Sequence, residues 1–95
     1  MKFAYLIIGT IFDSCKDRAY IHNEVSQIIG VSDIEEACKV AKELQNEGVD
    51  CIELCGVFGE EGARKIIEAT ENKIAVGFVV HLEEQNDIYK KLFGK

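Results

Sequence analysis

An almost unbroken apolar run from Phe3 to Phe12, FAYLIIGTIF, limits the folds open to this chain more than any other segment. β-Branched and aromatic residues dominate the run, and a strand of this composition is typical of the middle of a sheet. Lys73 to Val80 is a second run of this kind and predicts another strand covered on both faces. Because 95 residues allow only one hydrophobic core, both runs are assigned to a single domain, residues 1–95.

Between these runs the chain alternates strand and helix patterns. Ala19 to Val31 alternates apolar and polar side chains, which predicts a half-buried second strand. The connection from Phe12 to Arg18 is short for a parallel crossover and favours antiparallel pairing with the first strand, whereas a start near Val25 would allow a crossover. Asp50 to Cys55 predicts a third strand. The apolar run from Lys73 to Val80 is then the fourth strand.

Three segments carry helical periodicity. Ser32 is the predicted N-cap of the first helix, and the second helix is predicted from about Glu60 to Thr70. The third, roughly Glu83 to Phe93, is expected to bury Ile88, Tyr89, Leu92 and Phe93. The apolar stripe of the first helix is Ile34, Ala37, Cys38, Ala41 and Leu44. The prediction is an α/β fold, a four-stranded, mostly parallel sheet packed with three helices in the order β-β-α-β-α-β-α.

The charge balance narrows the classes of partner. Eleven Lys and Arg against seventeen Asp and Glu give a net charge of -6, and the basic residues are dispersed, which disfavours nucleic acid and anionic membranes. No apolar run reaches the roughly 20 residues of a membrane span, and we expect a cytoplasmic protein. The four cysteines form no CxxC pair, so reduced thiols and no metal site are expected.

The candidate site follows from the strand ends. In parallel sheets ligands bind beyond the carboxyl ends of the strands, where Cys55, Gly56 and His81 are expected to meet, and Thr10 follows the first strand. Cys55 is either a packed thiol or an activated thiolate. His81 is either a satisfied surface side chain or a base that, with Glu53, would complete a nucleophilic cluster.

Glu53 and the glycines each leave two interpretations open. Alternation places Glu53 with Cys51 and Cys55 on one face of a strand, where its carboxylate is either paired structurally or serves as an acid, base or ligand-binding group. Gly56, Gly59 and Gly62 form a GxxGxxG spacing between strand and helix, which serves either turn geometry and packing or an anion cradle.

The segment IELCGVFG, residues 52–59, together with Gly62-Ala63, Ile66-Ile67-Glu68-Ala69 and Val76-Gly77, resembles a family of small bacterial and archaeal α/β proteins of unknown function. The resemblance extends over Val31-Ser32, Glu36-Ala37, Ala41 to Leu44 and Gly48-Val49. The family pattern has a second glycine where Val57 stands and a proline where Ala75 stands. It implies the α/β fold and a candidate site around Glu53, Cys55, Gly56 and Gly59, but no established activity.

Three functional hypotheses result. The first is a small-molecule binding module, with Glu53, Gly56, Gly59, His81 and Thr10 as ligand-binding residues at the carboxyl ends of the third and fourth strands. The second is a small enzyme that uses Cys55 or Glu53 with His81. The third is an interaction protein that forms a homodimer, because a small sheet has two edges and a small core gains stability from association. No cofactor follows from these residues.

Overall fold

The computed structural model describes residues 1–94 and shows a five-stranded mixed sheet with three α-helices. The strands are β1 (Phe3–Ile8), β2 (Arg18–Ile21), β3 (Ser26–Val31), β4 (Cys51–Leu54) and β5 (Ala75–Phe78), and the helices are α1 (Ile34–Asn46), α2 (Gly59–Ala69) and α3 (Asn86–Phe93). Short 3-10 turns precede α2 and α3, at Gly56–Phe58 and Glu83–Gln85. The strand order is β2-β3-β1-β4-β5. The α/β class and the mostly parallel sheet are confirmed.

The predicted second strand is wrong in one respect, because Ala19 to Val31 contains two strands. β2 and β3 pair antiparallel, and His22, Asn23 and Glu24 between them adopt positive φ angles of 55, 53 and 70°. This turn contains neither Gly nor Pro, and its one turn-favouring residue, Asn23, is a weak signal on its own. The sheet therefore has five strands rather than four.

The first two predicted strands are also not direct neighbours in an antiparallel pair. β1 pairs in parallel with β3 on one side and with β4 on the other, and β4 pairs in parallel with β5. The crossover from β1 to β3 is thus bridged by a loop and β2. β1 itself ends at Ile8, and Phe12 turns back so that its ring lies where a side chain on Gly30 would stand, with Cγ 2.7 Å from the ideal Cβ position.

One cluster of buried apolar residues lies between the sheet and the helices α1 and α2. Alternate residues of the strands, Ala4, Leu6, Ile29, Val31, Ile52 and Leu54, are fully buried on the face that these helices cover. The predicted helical stripe is confirmed at Ala37, Ala41 and Leu44. The N-cap is Asp33 rather than Ser32, because the Asp33 carboxylate accepts the Glu36 N–H at 2.8 Å.

α3 contradicts the prediction that it completes the core. None of its residues is buried, and Ile88, Leu92 and Phe93 expose 59, 74 and 56% of their surface. Helical periodicity identifies an apolar side of a helix but not what covers that side. Among residues 1–94, no helix combines the length and the apolar character needed to cross a membrane.

Replacing Gln27 with leucine is expected to raise the free energy of unfolding by about 1 kcal/mol. Gln27 of β3 exposes 6% of its surface, and its Oε1 has no hydrogen-bond partner in the described chain. A buried acceptor without a partner has lost its hydration and gains no hydrogen bond in its place. An apolar side chain of similar size removes that cost. Urea denaturation followed by circular dichroism would measure the change. Gln45→Leu is the control: the Gln45 amide donates to the Thr70 carbonyl, so this variant should lose stability.

Candidate functional site

An open cavity of about 660 Å³ lies where β1, β4 and β5 end. Because these strands are parallel, their carboxyl ends share one edge of the sheet, and α3 forms the far wall. Its lining is mainly apolar and includes Ile7, Ile8, Val57, Phe78, Val79, Val80, Tyr89 and Phe93. Cys55, Gly56 and His81 also line it. The rule that ligands bind beyond the carboxyl ends of parallel strands thus predicted the edge of the sheet at which this cavity lies.

Cys55 is held at this edge by the backbone of β1. Its amide donates to the Leu6 carbonyl at 3.0 Å, which extends the β1–β4 pairing by one residue, and its Sγ accepts the Ile8 N–H at 3.5 Å. The next residue, Gly56, lets two backbones approach closely, because a Cβ there would stand 3.1 Å from the Val79 carbonyl oxygen. The start of the loop after β4 is therefore packed directly against the loop after β5.

His81 is the first residue of an aromatic stack that reaches into α3. Its ring lies parallel to that of Tyr89, with centroids 3.7 Å apart and an interplanar angle of 8°. Tyr89 in turn stacks on Phe93, one helical turn on, at 5.8 Å. His81 Nε2 donates to Asn86 Oδ1 at 2.8 Å. These contacts fix the imidazole as part of the cavity wall.

Glu53 lies apart from this cavity. Its side chain projects from β4 on the sheet face opposite the helices, and its Oε1 lies 3.0 Å from the point where a Cβ on Gly77 would stand. The Cys51 thiol donates to Glu53 Oε2 at 3.5 Å. Burial raises the pKa of the Cys51 thiol, and its hydrogen bond to Glu53 adds to that effect. Cys51 is therefore held as a protonated donor at neutral pH.

Tyr5 is the neighbour of Glu53 in β1 and was not singled out by the sequence. The two residues are register partners on the same sheet face. Burial raises the pKa of the Tyr5 hydroxyl, and the negative charges of Cys55 and Glu53 raise it further. Strict alternation from Ile7 could have placed Tyr5 on this face, but the continuous apolar run concealed which residues would share it.

The remaining candidates do not line the cavity. Thr10 is exposed in the turn after β1, and Gly59 lies at the start of α2 with φ 63° and ψ -176°. A Cβ at Gly62 would stand 3.1 Å from Phe58 Cβ and 3.3 Å from Ile34 Cδ1. Turn conformation and close packing thus account for the glycines of the GxxGxxG spacing.

The sequence missed the aromatic wall of the cavity. Tyr89 and Phe93 were assigned to the core, although their spacing of four residues already placed them on one side of a helix with His81 just before it. Among residues 1–94, no hydrogen bond joins Cys55 to His81, and no group of three or more His, Cys, Asp or Glu side chains is placed to hold a metal ion.

Comparison with known proteins places the chain in a family of unknown function. The chain matches no curated protein and no solved structure. A family model described as a family of unknown function, DUF6506, matches residues 1–94. The chain therefore belongs to the DUF6506 family.

Proposed function

We propose that the protein is a small-molecule binding module whose ligand occupies the cavity at the carboxyl ends of β4 and β5. The observation that carries this proposal is the cavity itself, of about 660 Å³, with an aromatic wall formed by His81, Tyr89 and Phe93. Cavities of about 300–1,000 Å³ with mainly apolar linings and a few polar groups are the usual form of a small-molecule site.

The lining points to the chemistry of the ligand. Apolar side chains supply most of the wall, and the lining side chains that carry polar groups are those of Cys55, His81 and Tyr89. A net charge of -6 disfavours an anionic ligand. We therefore infer an uncharged, largely apolar molecule with a flat ring that packs against the aromatic wall.

The geometry favours binding over nucleophilic catalysis. His81 already bonds to Asn86, Cys55 Sγ accepts the Ile8 N–H, and Glu53 does not line the cavity that Cys55 and His81 line. A nucleophile and its base normally lie within hydrogen-bond reach and are oriented by a third group. The three residues of the proposed cluster do not form that arrangement in the described chain.

Replacing Val57 with tryptophan is expected to block the cavity. Val57 lines the cavity and exposes 64% of its surface, so a larger side chain there fills the space without entering the core. The neutral fluorophore N-phenylnaphthylamine is the probe, and we expect its dissociation constant to rise at least about tenfold in Val57→Trp, roughly 1.4 kcal/mol of binding free energy. Fluorescence titration measures it.

Val25→Trp is the matched control, because Val25 is also an exposed valine and lies at the β2–β3 turn away from the cavity. Its affinity for the probe should equal that of the wild type. Native mass spectrometry of protein from its own source should also show a retained small molecule. Equal probe binding by both variants, with no retained mass, would contradict the proposal.

A further inference from the structure

One face of the sheet has no helix packed on it in the described chain. Helices α1 and α2 cover the opposite face, where the alternate strand residues are fully buried. The uncovered face, called here the open face, consists of Phe3, Tyr5 and Ile7 of β1, Ile28 of β3, and Glu53 of β4. These residues are only half-buried. An apolar sheet face of this kind is normally covered by another layer.

α3 places Tyr89 and Phe93 in the cavity wall and leaves a second apolar side, formed by Ile88 and Leu92, exposed. It has eight residues, none of them buried, and Ile88 and Leu92 point into solvent. Helices shorter than about 12 residues are marginal in water unless an apolar side packs against something. The described chain thus contains both an uncovered sheet face and a helix with an exposed apolar side.

The exposed area exceeds that of an ordinary monomer by about the size of one half of a dimer interface. The chain exposes 6532 Å², whereas a folded monomer of 10.6 kDa is expected to expose about 5,500 Å². The excess is about 1,000 Å². A standard protein interface buries about 800 Å² on each partner, so association of two copies would bring the exposed area to the ordinary value.

The charges of the two surfaces are complementary. Glu53 is a carboxylate on the largely apolar open face, and within residues 1–94 it forms no ion pair. Lys90 and Lys91 lie in the last turns of α3 and form none either. A half-buried carboxylate is stabilised by a cation that approaches it on desolvation.

We propose that the occupant of the open face is α3 of a second copy of this chain. In a two-fold dimer each α3 lies on the open face of the other subunit, with Ile88 and Leu92 against the apolar strands and Lys91, three positions after Ile88, near Glu53. Such an interface is isologous, so the same two contacts occur twice. The proposal concerns assembly and does not rest on the ligand proposed for the cavity.

Mass measurement in solution is the first test. Light scattering on the full chain at micromolar to millimolar concentration should report about twice the 10.6 kDa chain mass. Leu92→Asp, at a side chain that exposes 74% of its surface, should raise the dimer dissociation constant at least about tenfold. Ile11→Asp is the control, since Ile11 exposes 85% and lies in the loop after β1. It should dimerise like the wild type.

Charge reversal tests the specific pairing. Glu53→Lys and Lys91→Glu should each weaken the dimer, because like charges then meet at both contacts. Mixed in equal amounts, the two variants should form a heterodimer with affinity close to the wild type, since opposite charges then meet at both contacts. Circular dichroism checks that each variant is folded, and Leu92→Asp tests the proposal independently of Glu53.

Three results would overturn the inference. The first is a wild type that stays at the monomer mass as its concentration rises. The second is dimerisation of Leu92→Asp as strong as that of Ile11→Asp, which would place the interface elsewhere, for example along the free edge of β5. The third is two folded charge variants that stay apart when mixed, which would leave α3 against its own subunit or against an unrelated partner.

Discussion

Replacing Leu54 with alanine should lower the free energy of unfolding by about 3 kcal/mol. Leu54 is fully buried at the end of β4, between β1 and β5 and beneath the helices. Large-to-small changes at such positions remove apolar contact and leave a cavity, which costs about 2–5 kcal/mol. Chemical denaturation with urea, followed by circular dichroism, gives the value directly.

Leu82→Ala is the matched control for Leu54→Ala. The same atoms are removed, but Leu82 exposes 69% of its surface before α3, so we expect a change below about 0.5 kcal/mol. Similar losses in the two variants would show that the segment before α3 belongs to the core. That result would contradict the arrangement described here.

Replacing Glu36 with glutamine should cost about 2 kcal/mol at neutral pH. The Glu36 carboxylate accepts the Ser32 N–H at 2.6 Å and the Ser14 hydroxyl at 2.9 Å, and it thereby ties the loop before β2 to the start of α1. Hydrogen bonds to a charged group are each worth about 1.5–3 kcal/mol, and the amide can accept with only one of its two terminal atoms. Thermal and urea denaturation would both report the loss.

The same carboxylate predicts a pH dependence. The hydrogen bond from the Ser32 amide holds the pKa of Glu36 below its usual range, and the Ser14 contacts act in the same direction. The folded state therefore binds this proton less readily than the unfolded state. The stabilisation is complete above the usual glutamate pKa and is lost as the pH falls through the lower, folded-state value.

The difference in stability between wild type and Glu36→Gln should consequently be constant near neutral pH and shrink under acidic conditions. Glu35→Gln is the control, because Glu35 is exposed in the same helical turn and contacts neither Ser14 nor Ser32. Glu35→Gln should leave both the free energy of unfolding at neutral pH and its decrease at acidic pH unchanged. If the stability of Glu36→Gln fell at acidic pH as steeply as that of the wild type, the attribution of this pH dependence to Glu36 would be refuted.

The parts of the fold that the sequence predicted are those with local signals. The stripe of α1 repeats at helical spacing and is followed by Gly48, so its position followed from the chain alone. The β2–β3 hairpin did not, because the turn from His22 to Glu24 has no Gly or Pro, and Asn23 is its only residue of a type that favours turns. The alternation of Ala19 to Val31 continued through this turn and was interpreted as one strand.

The candidate site, like the fold, has parts that the sequence predicted and parts that it did not. Parallel strands and short connections brought Cys55 and His81 to one edge, which a general rule for such sheets predicts. The face on which Glu53 lies followed from alternation, but whether a helix covers that face depends on where α3 goes. Its path depends on contacts beyond the helix itself, so neither the open face nor the aromatic wall could be derived from local pattern.

The position of β1 in the sheet has a consequence for the kinetics of folding. β1 precedes every other strand in the chain, yet it lies in the centre, where Phe3 pairs with Ser26 on one side and with Cys51 on the other. Both pairings close long loops, and the conformational entropy of each loop is lost before its strand contacts form. A domain built on such non-local pairings has high contact order and folds more slowly than a helical bundle of equal size. Until β4 pairs with β1, one edge of β1 remains unpaired, and such an unpaired strand edge makes a partly folded chain prone to aggregate.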